Sequence, residues 1–521
     1  MTARQGMKNL YGRLEKRHKA AFIGTVLLGL LIHLPVMLSD IPNHDGLAST
    51  YFDQNMITSG RWFLTVACGF SSYYTVPWVI GLLGLCFLGL TAMALTELLE
   101  IKSETAAVAV GGLLVSFPAL ASTFAYVFTL DGYMMALLLA VLAVLVTKKK
   151  KNGFWIGALC LAFSMGIYQA YLPFAILLCL YQSAVLFADG AWKRDRKAVT
   201  AQIAKYVGMG ILGFAAYYVI LRVLLLIQGK ELASYQGIGE AGMAKEGLVS
   251  VVKSIYFDFV GFTLGGGVFF QNVFSLAAMI LLGLATLWVL FRRAAEQKWF
   301  ARIGFYGILL LLAVAIPPCA SCIRLVSPEL NYHLLMRYQW VLFPILMVAF
   351  CEKYGENAAK GEPARSVFSW ILAGAVTVMI FCYGLADNVA YANLEKKYEK
   401  TYAYCVRLLD RIEQTEGYYQ GIPVALVGVV GEDSYPVTDV TGKVTGNMIG
   451  LSGDYLLYTG ENYQAFIRHY LGATLNVVDV DRMGEIYYTP EYEEMDSFPG
   501  PGSTKVVNGI LYVKTENARR D

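Results

Sequence analysis

Acidic and basic side chains stand at the ends of several long apolar runs in this sequence. Asp40 and Asp45 follow the first run, and Asp131 lies in the short segment FTLDGYM between two later runs. Arg337 lies in HLLMRYQW, where another run begins. A carboxylate partly desolvated at a membrane boundary can act as a base, and a guanidinium can hold a phosphate through two parallel hydrogen bonds. With an amphipathic groove, these groups suffice to move a group from a lipid phosphate to an acceptor.

Each of these residues also has a purely structural interpretation. The first two acids precede Ile-Pro and Gly, which are turn signals. Asp131 can equally be the N-cap of the helix that follows it. Tyr168 and Gln169, in the segment SMGIYQAYLPF, can belong to an interfacial aromatic belt, and Arg337 can be an anchor that snorkels to the interface.

The elements that must position these residues are membrane helices. Of the 521 residues, 57% are hydrophobic and 16% are charged, and the mean hydropathy is +0.51. Soluble domains carry roughly 25% charged residues, so this composition indicates that the bilayer is the solvent. We expect a polytopic α-helical membrane protein with about eleven transmembrane helices, in which neighbouring runs between 105 and 188 could form re-entrant hairpins. The runs lie near 21–38, 76–98, 105–125, 132–147, 153–168, 171–188, 206–228, 272–291, 303–318, 338–351 and 367–386.

The lysines and arginines between these runs predict the orientation of the chain. Connections assigned to the inside carry 23 Lys and Arg residues, whereas those assigned to the outside carry 6. Because cytoplasmic loops carry an excess of basic residues, the N-terminus is predicted to lie inside the cell. With an odd number of spans, residues 387–521 then lie outside. The basic residues occur in short runs between apolar segments, which does not indicate a nucleic acid partner.

Residues 1–386 are predicted to form a transmembrane domain, whose longest external loops lie at 39–75 and 229–271. Residues 387–521 are predicted to form a small external α/β domain. This tail carries 12 Lys and Arg against 20 Asp and Glu, so it is acidic where the preceding part is basic. The segment NVAYANLEKKYEKTYAYCVRLLDRIEQ has helical periodicity. PVALVGVVG, NVVDV and NGILYVKT are typical of strands, and ENYQAFIRHYLG is typical of an amphipathic helix stopped by Gly.

Four segments resemble the membrane glucosyltransferases that modify O-antigens and related surface glycans, the Gtr type II family. They are NHDG with the GRW that follows it, FAYVFTLDGYMMALLL, IYQAYLPF and MRYQW. VALVGVV and FIRHYLG resemble the family's C-terminal portion, so the resemblance covers nearly the whole chain. The family typically has two adjacent Asp before its Gly-Arg. Here position 44 is His, which leaves Asp45 as the matching acid and puts a two-carboxylate mechanism at this point in doubt.

The resemblance implies a GT-C-like architecture and the chemistry that accompanies it. Such enzymes take a sugar, here glucose or a similar hexose, from a polyprenyl-phosphate-sugar donor and transfer it to a surface glycan outside the cytoplasmic membrane. The first-loop acid is the usual base, so Asp45 is expected to be the base, with Asp131 or Asp40 as a second carboxylate. The residues expected to bind substrate are Arg337, Arg61, Trp62, Tyr168 and Gln169.

The same resemblance implies the other participants in the reaction. No cofactor is expected and no metal site is assigned, although a divalent metal is compatible with the pattern. A polyprenyl-phosphate-glucose synthase and a flippase would supply the donor from inside the cell. The lipid bilayer itself is the surrounding partner.

Other membrane functions make different predictions about the sequence. A transporter or flippase for a lipid-linked glycan would place functional charges near the bilayer midplane, whereas here the acids cluster at one face. A glycan polymerase or ligase of another fold would be expected to have a large external loop rich in Arg and His, but the chain holds only 5 His. A membrane-anchored binding protein would need far fewer spans.

Overall fold

The computed structural model of the protein describes most of the chain. The described residues are 2–5, 12, 14–48, 56–69, 75–233, 247–265, 272–327, 331–358, 362–427, 448, 450–451, 456–457 and 459–515. Parts of the two predicted loops 39–75 and 229–271, and the end of the predicted strand PVALVGVVG, lie outside the described residues.

The part of the chain up to residue 413 is helical, which confirms the prediction of a polytopic α-helical membrane protein. Among the described residues, nine helical segments are long and apolar enough to cross a membrane, or ten if one bent pair counts as a single span. The helices are, in chain order, α1 (Lys16–Leu38), α2 (His44–Ala48), α3 (Leu64–Ala67), α4 (Pro77–Leu98), α5 (Glu104–Ser116), α6 (Pro118–Phe124), α7 (Val127–Lys149), α8 (Gly153–Ile167), α9 (Leu172–Ala188), α10 (Ala191–Arg194), α11 (Arg196–Gln228), α12 (Leu248–Leu264), α13 (Val273–Glu296), α14 (Ile303–Ala320), α15 (Ile323–Val326), α16 (Leu342–Ala358) and α17 (Glu362–Glu413).

The count differs from the predicted eleven because the apolar run near 153–168 forms a short helix. This helix, α8, has 15 residues, or about 22 Å at 1.5 Å per residue, which is short of the roughly 30 Å of hydrocarbon in a bilayer. The run near 105–125 is the bent pair α5–α6. Phe117 between them is extended, with φ −69° and ψ 126°, and Pro118 begins α6. Because the residue before a proline disfavours helical backbone, the helix ends there and restarts at an angle of 50°.

Ion pairs join the connections that were predicted to be internal. Arg17, at the start of α1, donates to Glu97 near the end of α4 at 2.8 Å. Lys353 near the end of α16 bridges Glu100 and Asp189, at 3.1 and 2.9 Å. These connections therefore share one face of the helix bundle, here called the basic face. The first loop leaves the other end of α1, and the face that carries it is here called the outer face.

Beyond α17 the chain forms a small α/β unit with one four-stranded sheet. Its strand order is β2-β1-β4-β3, with β1 parallel to both neighbours and β3 antiparallel to β4. Asn508 and Gly509, with φ of 50° and 79°, make the two-residue turn of the β3–β4 hairpin. The elements are β1 (Pro423–Val427), α18 (Gly460–Phe466), β2 (Asn476–Val477), α19 (Val480–Tyr487), α20 (Pro490–Glu493), β3 (Thr504–Val507) and β4 (Ile510–Lys514).

A single helix joins the last span to this C-terminal unit. α17 runs for 52 residues, so it passes the predicted boundary between residues 386 and 387 without a break. Leu394, Cys405 and Leu408, beyond that boundary, are buried. One apolar core extends from the membrane helices to Val424 and Leu426 of β1. The C-terminal unit is therefore packed onto the membrane part of the chain.

Cysteine labelling tests which face lies outside the cell. Cys405 is fully buried, so Tyr488→Cys on the exposed surface of the C-terminal unit is a better reporter, and Lys197→Cys on the basic face is its control. We expect a membrane-impermeant maleimide to label Tyr488→Cys in intact cells but Lys197→Cys only after permeabilisation. We expect this because the connections of the basic face carry an excess of basic residues, and such connections lie on the cytoplasmic side. The reverse pattern would contradict the predicted orientation.

Candidate functional site

The first loop is fixed against the turn between α8 and α9. Gln169 in that turn donates from Nε2 to the Ser59 carbonyl and to the Tyr217 hydroxyl, at 3.1 and 3.0 Å, and the Tyr217 hydroxyl donates to the Gly60 carbonyl at 3.1 Å. Gly60 has a φ of 77°, and a Cβ there would lie 2.5 Å from the Gln169 amide and from the Tyr217 hydroxyl. Only glycine fits this position. The Gln169 amide, predicted to bind substrate, thus holds the loop in place.

Trp62 and Arg61 have different roles in the same loop. A Cβ at Gly166 of α8 would lie 2.6 Å from the Trp62 indole, and the Phe63 amide donates to the Gly166 carbonyl at 2.7 Å. Trp62 therefore packs directly on the α8 backbone. The Arg61 guanidinium lies over the Tyr168 ring, 5.2 Å from its centroid, in a cation–π geometry. Arg61 is only half-buried, so its charge can act on a ligand.

A row of tyrosines connects this loop to the segment that carries Arg337. Tyr168 stacks on Tyr133, with centroids 4.2 Å apart and planes 5° apart. Tyr171 packs edge-on against Tyr168 and against Tyr338, at 5.6 and 6.4 Å. Since Tyr338 follows Arg337 in the chain, the row brings the first loop, the α8–α9 turn and the Arg337 segment together at the outer face.

Asp45 lies at the solvent edge of this face, in α2. Its side chain is 56% exposed, and Oδ1 lies 3.5 Å from Nε2 of His44. Burial lowers the pKa of His44 below its usual value, against the opposing effect of the Asp45 charge. Asn462 of α18 donates to the His44 carbonyl at 3.1 Å, so the C-terminal unit helps to fix α2. The result is an accessible carboxylate beside an imidazole, and such a carboxylate can abstract a proton from an incoming hydroxyl.

Asp40 lines a cavity between the first loop and the C-terminal unit. The cavity has a volume of about 410 Å³, and its walls include Gly46 of the first loop, Phe128 of α7 and Tyr470 of the C-terminal unit. Asp40 stays accessible to solvent, yet desolvation by the cavity walls raises the pKa of its carboxyl. Asp40 is thus a second carboxylate at the outer face.

Asp131 is placed differently from the other two acids. It is buried within α7, beyond the first turn, and the N-cap of that helix is Tyr126, so the N-cap interpretation of Asp131 is wrong. Its Oδ1 accepts a hydrogen bond from the Gly132 amide at 2.9 Å. It does not line the cavity beside Asp40. The structure does not bring it to the surface that the other two acids share.

Arg337 forms a bidentate ion pair that the sequence did not predict. Nη1 and Nη2 donate to the two carboxylate oxygens of Asp258 at 2.8 and 2.7 Å, and Nε donates to the Tyr332 carbonyl at 2.9 Å. The guanidinium lies 4.2 Å from the ring centroids of Phe262 and Tyr332. Arg324 reaches the same carboxylate at 3.0 Å. Two guanidiniums share one carboxylate, which leaves one net positive charge in this group of three residues, here called the arginine cluster.

Sequence reasoning missed Asp258 and Arg324, although one signal pointed to the first. Asp258 is the single acid in the largely apolar helix LVSVVKSIYFDFVGFTL. An acid in such a segment requires a charged or hydrogen-bonding partner. Its partner Arg337 is 79 residues away in sequence, and no local pattern identifies it.

An apolar groove runs from the basic face toward the arginine cluster, but no residue of that cluster lines it. Its volume is about 520 Å³, and side chains of α9, α13, α14 and α16 line most of it. Phe343, at one end, packs 6.0 Å from Phe259, the residue after Asp258. Lys193 and Arg302 lie at the other end. Only 11% of the α14 span is buried, so the groove is open toward lipid.

The groups available at the outer face are carboxylates, an imidazole and guanidiniums. Among the described residues, no three His, Cys, Asp or Glu side chains are grouped so as to hold a metal ion. The chain has further acids outside the described residues, so the expectation of no cofactor, with no metal site assigned, stays a prediction. The described side chains offer base catalysis and anion binding.

The raised pKa of Asp40 predicts a pH-dependent effect of Asp40→Asn on stability. A carboxyl whose pKa is higher in the folded than in the unfolded chain makes folding less favourable once pH exceeds both values. At about pH 8 the variant is therefore expected to be at least as stable as the wild type, and the gap should shrink as the pH falls toward the usual Asp pKa of about 3.9. Thermal unfolding in detergent at both pH values measures this. A variant that is less stable only at high pH would mean that ionised Asp40 has a stabilising partner.

Comparison with known proteins gives one match. Residues 34–350 match the family described as Glucosyl transferase GtrII. The matched range includes the first loop, the tyrosine row, the arginine cluster and the groove, and it ends before the C-terminal unit. No curated protein and no solved structure matches the chain.

Proposed function

This chain belongs to the GtrII glucosyl transferase family, and from that premise we propose that it moves glucose, or a similar hexose, from a polyprenyl phosphate carrier to a surface glycan. Its membership and its apolar helices make it a membrane glycosyltransferase. We propose four further points: a lipid-phosphate donor, a glycan acceptor, action at the external face of the cytoplasmic membrane, and a GT-C-like architecture.

The observation that carries the lipid-phosphate donor is the aromatic contact between Phe343, at the outer end of the groove, and Phe259, the residue after Asp258 of the arginine cluster. A polyprenyl chain needs a continuous apolar surface, and its phosphate needs cations at the end of that surface. The groove is open to lipid along α14, and its outer end packs against Phe259, next to Asp258. The net positive charge of the arginine cluster is the complement of a phosphate diester.

The proposed step uses the Asp45 carboxylate as a base. A hydroxyl of the acceptor gives its proton to Asp45 while its oxygen forms a bond to the anomeric carbon of the donor sugar. The bond between that carbon and the phosphate oxygen breaks, and polyprenyl phosphate leaves with both electrons of the bond. The phosphate gains one negative charge in this step, so Arg337 and Arg324 stabilise the leaving group more strongly than the donor.

The remaining predicted residues take supporting roles in this proposal. Arg61 over Tyr168 supplies a further cation beside the tyrosine row. Trp62 and Gln169 fix the loop that carries Arg61. The donor arises inside the cell in this scheme, so a polyprenyl-phosphate-glucose synthase and a flippase must act before this enzyme.

Reconstituted protein tests the proposal. The purified chain is placed in liposomes with polyprenyl phosphate that carries radiolabelled glucose, and native surface glycan from the host is added on the side of the C-terminal unit. We expect label to appear in the glycan with wild-type protein and not with Asp45→Asn. The matched control is Arg222→Lys, because Arg222 interacts with the exposed Tyr218 on α11 and lies in neither the first loop nor the arginine cluster.

The same experiment separates a transferase from a transporter. If donor lipid crosses the bilayer in the presence of the protein while no label reaches any glycan, the chain is a flippase and the proposal fails. If label reaches the glycan only from a nucleotide sugar, the transferase is retained and the lipid-phosphate donor is rejected.

A further inference from the structure

The cavity beside Asp40 has walls from two distant parts of the chain. Asp40 and Gly46 come from the first loop, Phe124 and Phe128 flank the α6–α7 junction, and His469 and Tyr470 come from the C-terminal unit. The last two residues lie beyond the family match, which ends at residue 350. The matched region alone therefore does not close this cavity.

Tyr470 presents an aromatic ring to the cavity in a fixed position. It belongs to the π-helical turn Ile467–Leu471 that continues α18. Its ring packs 5.2 Å from Tyr398 of α17 and 4.8 Å from Phe466, and its hydroxyl donates to the Asp40 carbonyl at 3.4 Å. Such packing on several sides orders the side chain before any ligand arrives, which lowers the entropic cost of binding.

The C-terminal unit is also attached to the first loop at other points. Asn462 donates to the His44 carbonyl at 3.1 Å. Gly450, with a φ of 84°, lies so close to Tyr126 and Asn43 that a Cβ there would approach them to 2.9 and 3.1 Å. These contacts place the cavity beside α2, which carries Asp45. A molecule in the cavity would thus lie next to the proposed base.

The composition of the cavity suits one ring of a carbohydrate. A sugar ring has an apolar face of C–H groups and an edge of hydroxyls, and an aromatic side chain with nearby carboxylate and imidazole groups complements both. A volume of about 410 Å³ lies within the range of roughly 300–1,000 Å³ for small-ligand sites. None of the walls comes from the arginine cluster or from the groove, so the cavity is separate from the proposed phosphate site.

We propose that this cavity is the acceptor subsite and that the C-terminal unit, through His469 and Tyr470, selects the glycan whose hydroxyl reaches Asp45. The inference rests on the proposed function, since it assigns the acceptor of that same reaction. Tyr470 stacks on the sugar ring, and His469 and Asp40 hydrogen-bond to its hydroxyls. The C-terminal unit thus determines specificity.

Kinetics of three variants test the subsite. Tyr470→Ala and His469→Ala are expected to raise the KM for the acceptor glycan about tenfold, on the order of one stacked ring or one lost hydrogen bond. The KM for the donor is expected to stay unchanged. Tyr470→Phe keeps the ring and is expected to behave nearly as the wild type. Tyr488→Ala, an exposed tyrosine on the same unit, is the matched control.

Each outcome bears on one claim. A raised KM for the donor instead of the acceptor would mean that the cavity holds the donor sugar, and unchanged KM values for both substrates would mean that it holds neither; both results overturn the inference. Equilibrium binding of the free acceptor oligosaccharide to the wild type and to His469→Ala gives a readout that needs no transfer. Binding that is lost in the variant supports the subsite even if wild-type protein fails to use the lipid donor, which would refute the proposed function alone.

Discussion

Asp45→Asn is expected to insert, fold and bind donor lipid normally but to transfer sugar about 10²–10⁴-fold more slowly than the wild type. A sugar hydroxyl is a poor nucleophile at neutral pH, and a positioned base contributes an acceleration of this size. The substitution keeps the shape of the side chain and removes the basic carboxylate. The measurement is the initial rate of glucose transfer by reconstituted protein at saturating donor.

Solvent access and a fixed backbone favour Asp45 over the other two acids as the proposed base. Its side chain is more than half exposed at the outer face, whereas Asp131 is buried within α7. Burial lowers the pKa of its neighbour His44, which favours the uncharged imidazole. Asn462 holds the backbone of α2. Asp40 is accessible as well, but it lines the cavity that we assign to the acceptor.

Parallel variants decide between the acids. Asp40→Asn is expected to change the KM for the acceptor more than the turnover, and Asp131→Asn is expected to retain transfer if the chain folds. Wild-type turnover in Asp45→Asn together with an inactive but folded Asp131→Asn would move the base to Asp131. Asp45 in the first loop would then not be the base.

The membrane part of the fold was predictable because its signal is local. Each predicted apolar run is helical, and the run near 105–125 forms the bent pair α5–α6. A span of about 20 apolar residues is visible in any window of the sequence. The bend at Pro118 follows from one residue and its neighbour. The grouping of Arg17, Glu97 and Lys353 at one face follows from the count of basic residues.

The arrangement of the C-terminal unit was not predictable in the same way. The change in charge near Asp387 suggested a boundary there, but helix α17 continues through it. The bond from Asn462 to His44 joins residues 418 apart, and Gly450 meets Tyr126, which is also distant in the sequence. A single sequence indicates the secondary-structure propensity of each segment. It does not indicate which distant segments pack together.

In the candidate site, too, local sequence segments could be predicted, whereas contacts between distant residues could not. Gly60 and Arg61 could be found because they stand together in a recognisable segment. The roles of Gln169 and Trp62 in holding that loop depend on contacts with Tyr217 and Gly166, which no spacing reveals.

Arg337→Lys is expected to weaken donor use, with a fall in kcat/KM for the donor of about 10–10²-fold. Lysine keeps the charge but loses the planar fork that binds two oxygens in parallel, and a hydrogen bond to a charged group contributes about 1.5–3 kcal/mol. The measurement is kcat/KM at limiting donor, with Arg222→Lys as the control for a general loss of arginine. Arg337→Ala is less informative, because removing one partner of a buried pair destabilises a protein by about 3–5 kcal/mol.

Asp258→Asn separates phosphate binding from a structural role for the same arginine. The wild-type guanidinium donates to both oxygens of Asp258, so donor phosphate must share or replace that carboxylate. Asn removes the negative charge and leaves buried Arg337 without its countercharge, so this variant is expected to lose thermal stability. It is nevertheless expected to bind donor lipid at least as tightly as the wild type, because Arg324 and Arg337 are then an unneutralised pair. If the pair only anchors α12 to the bundle, Asp258→Asn and Arg337→Lys will instead lose donor binding to a similar extent. Opposite effects of the two variants on the donor KM are therefore the result that identifies the arginine cluster as the phosphate site.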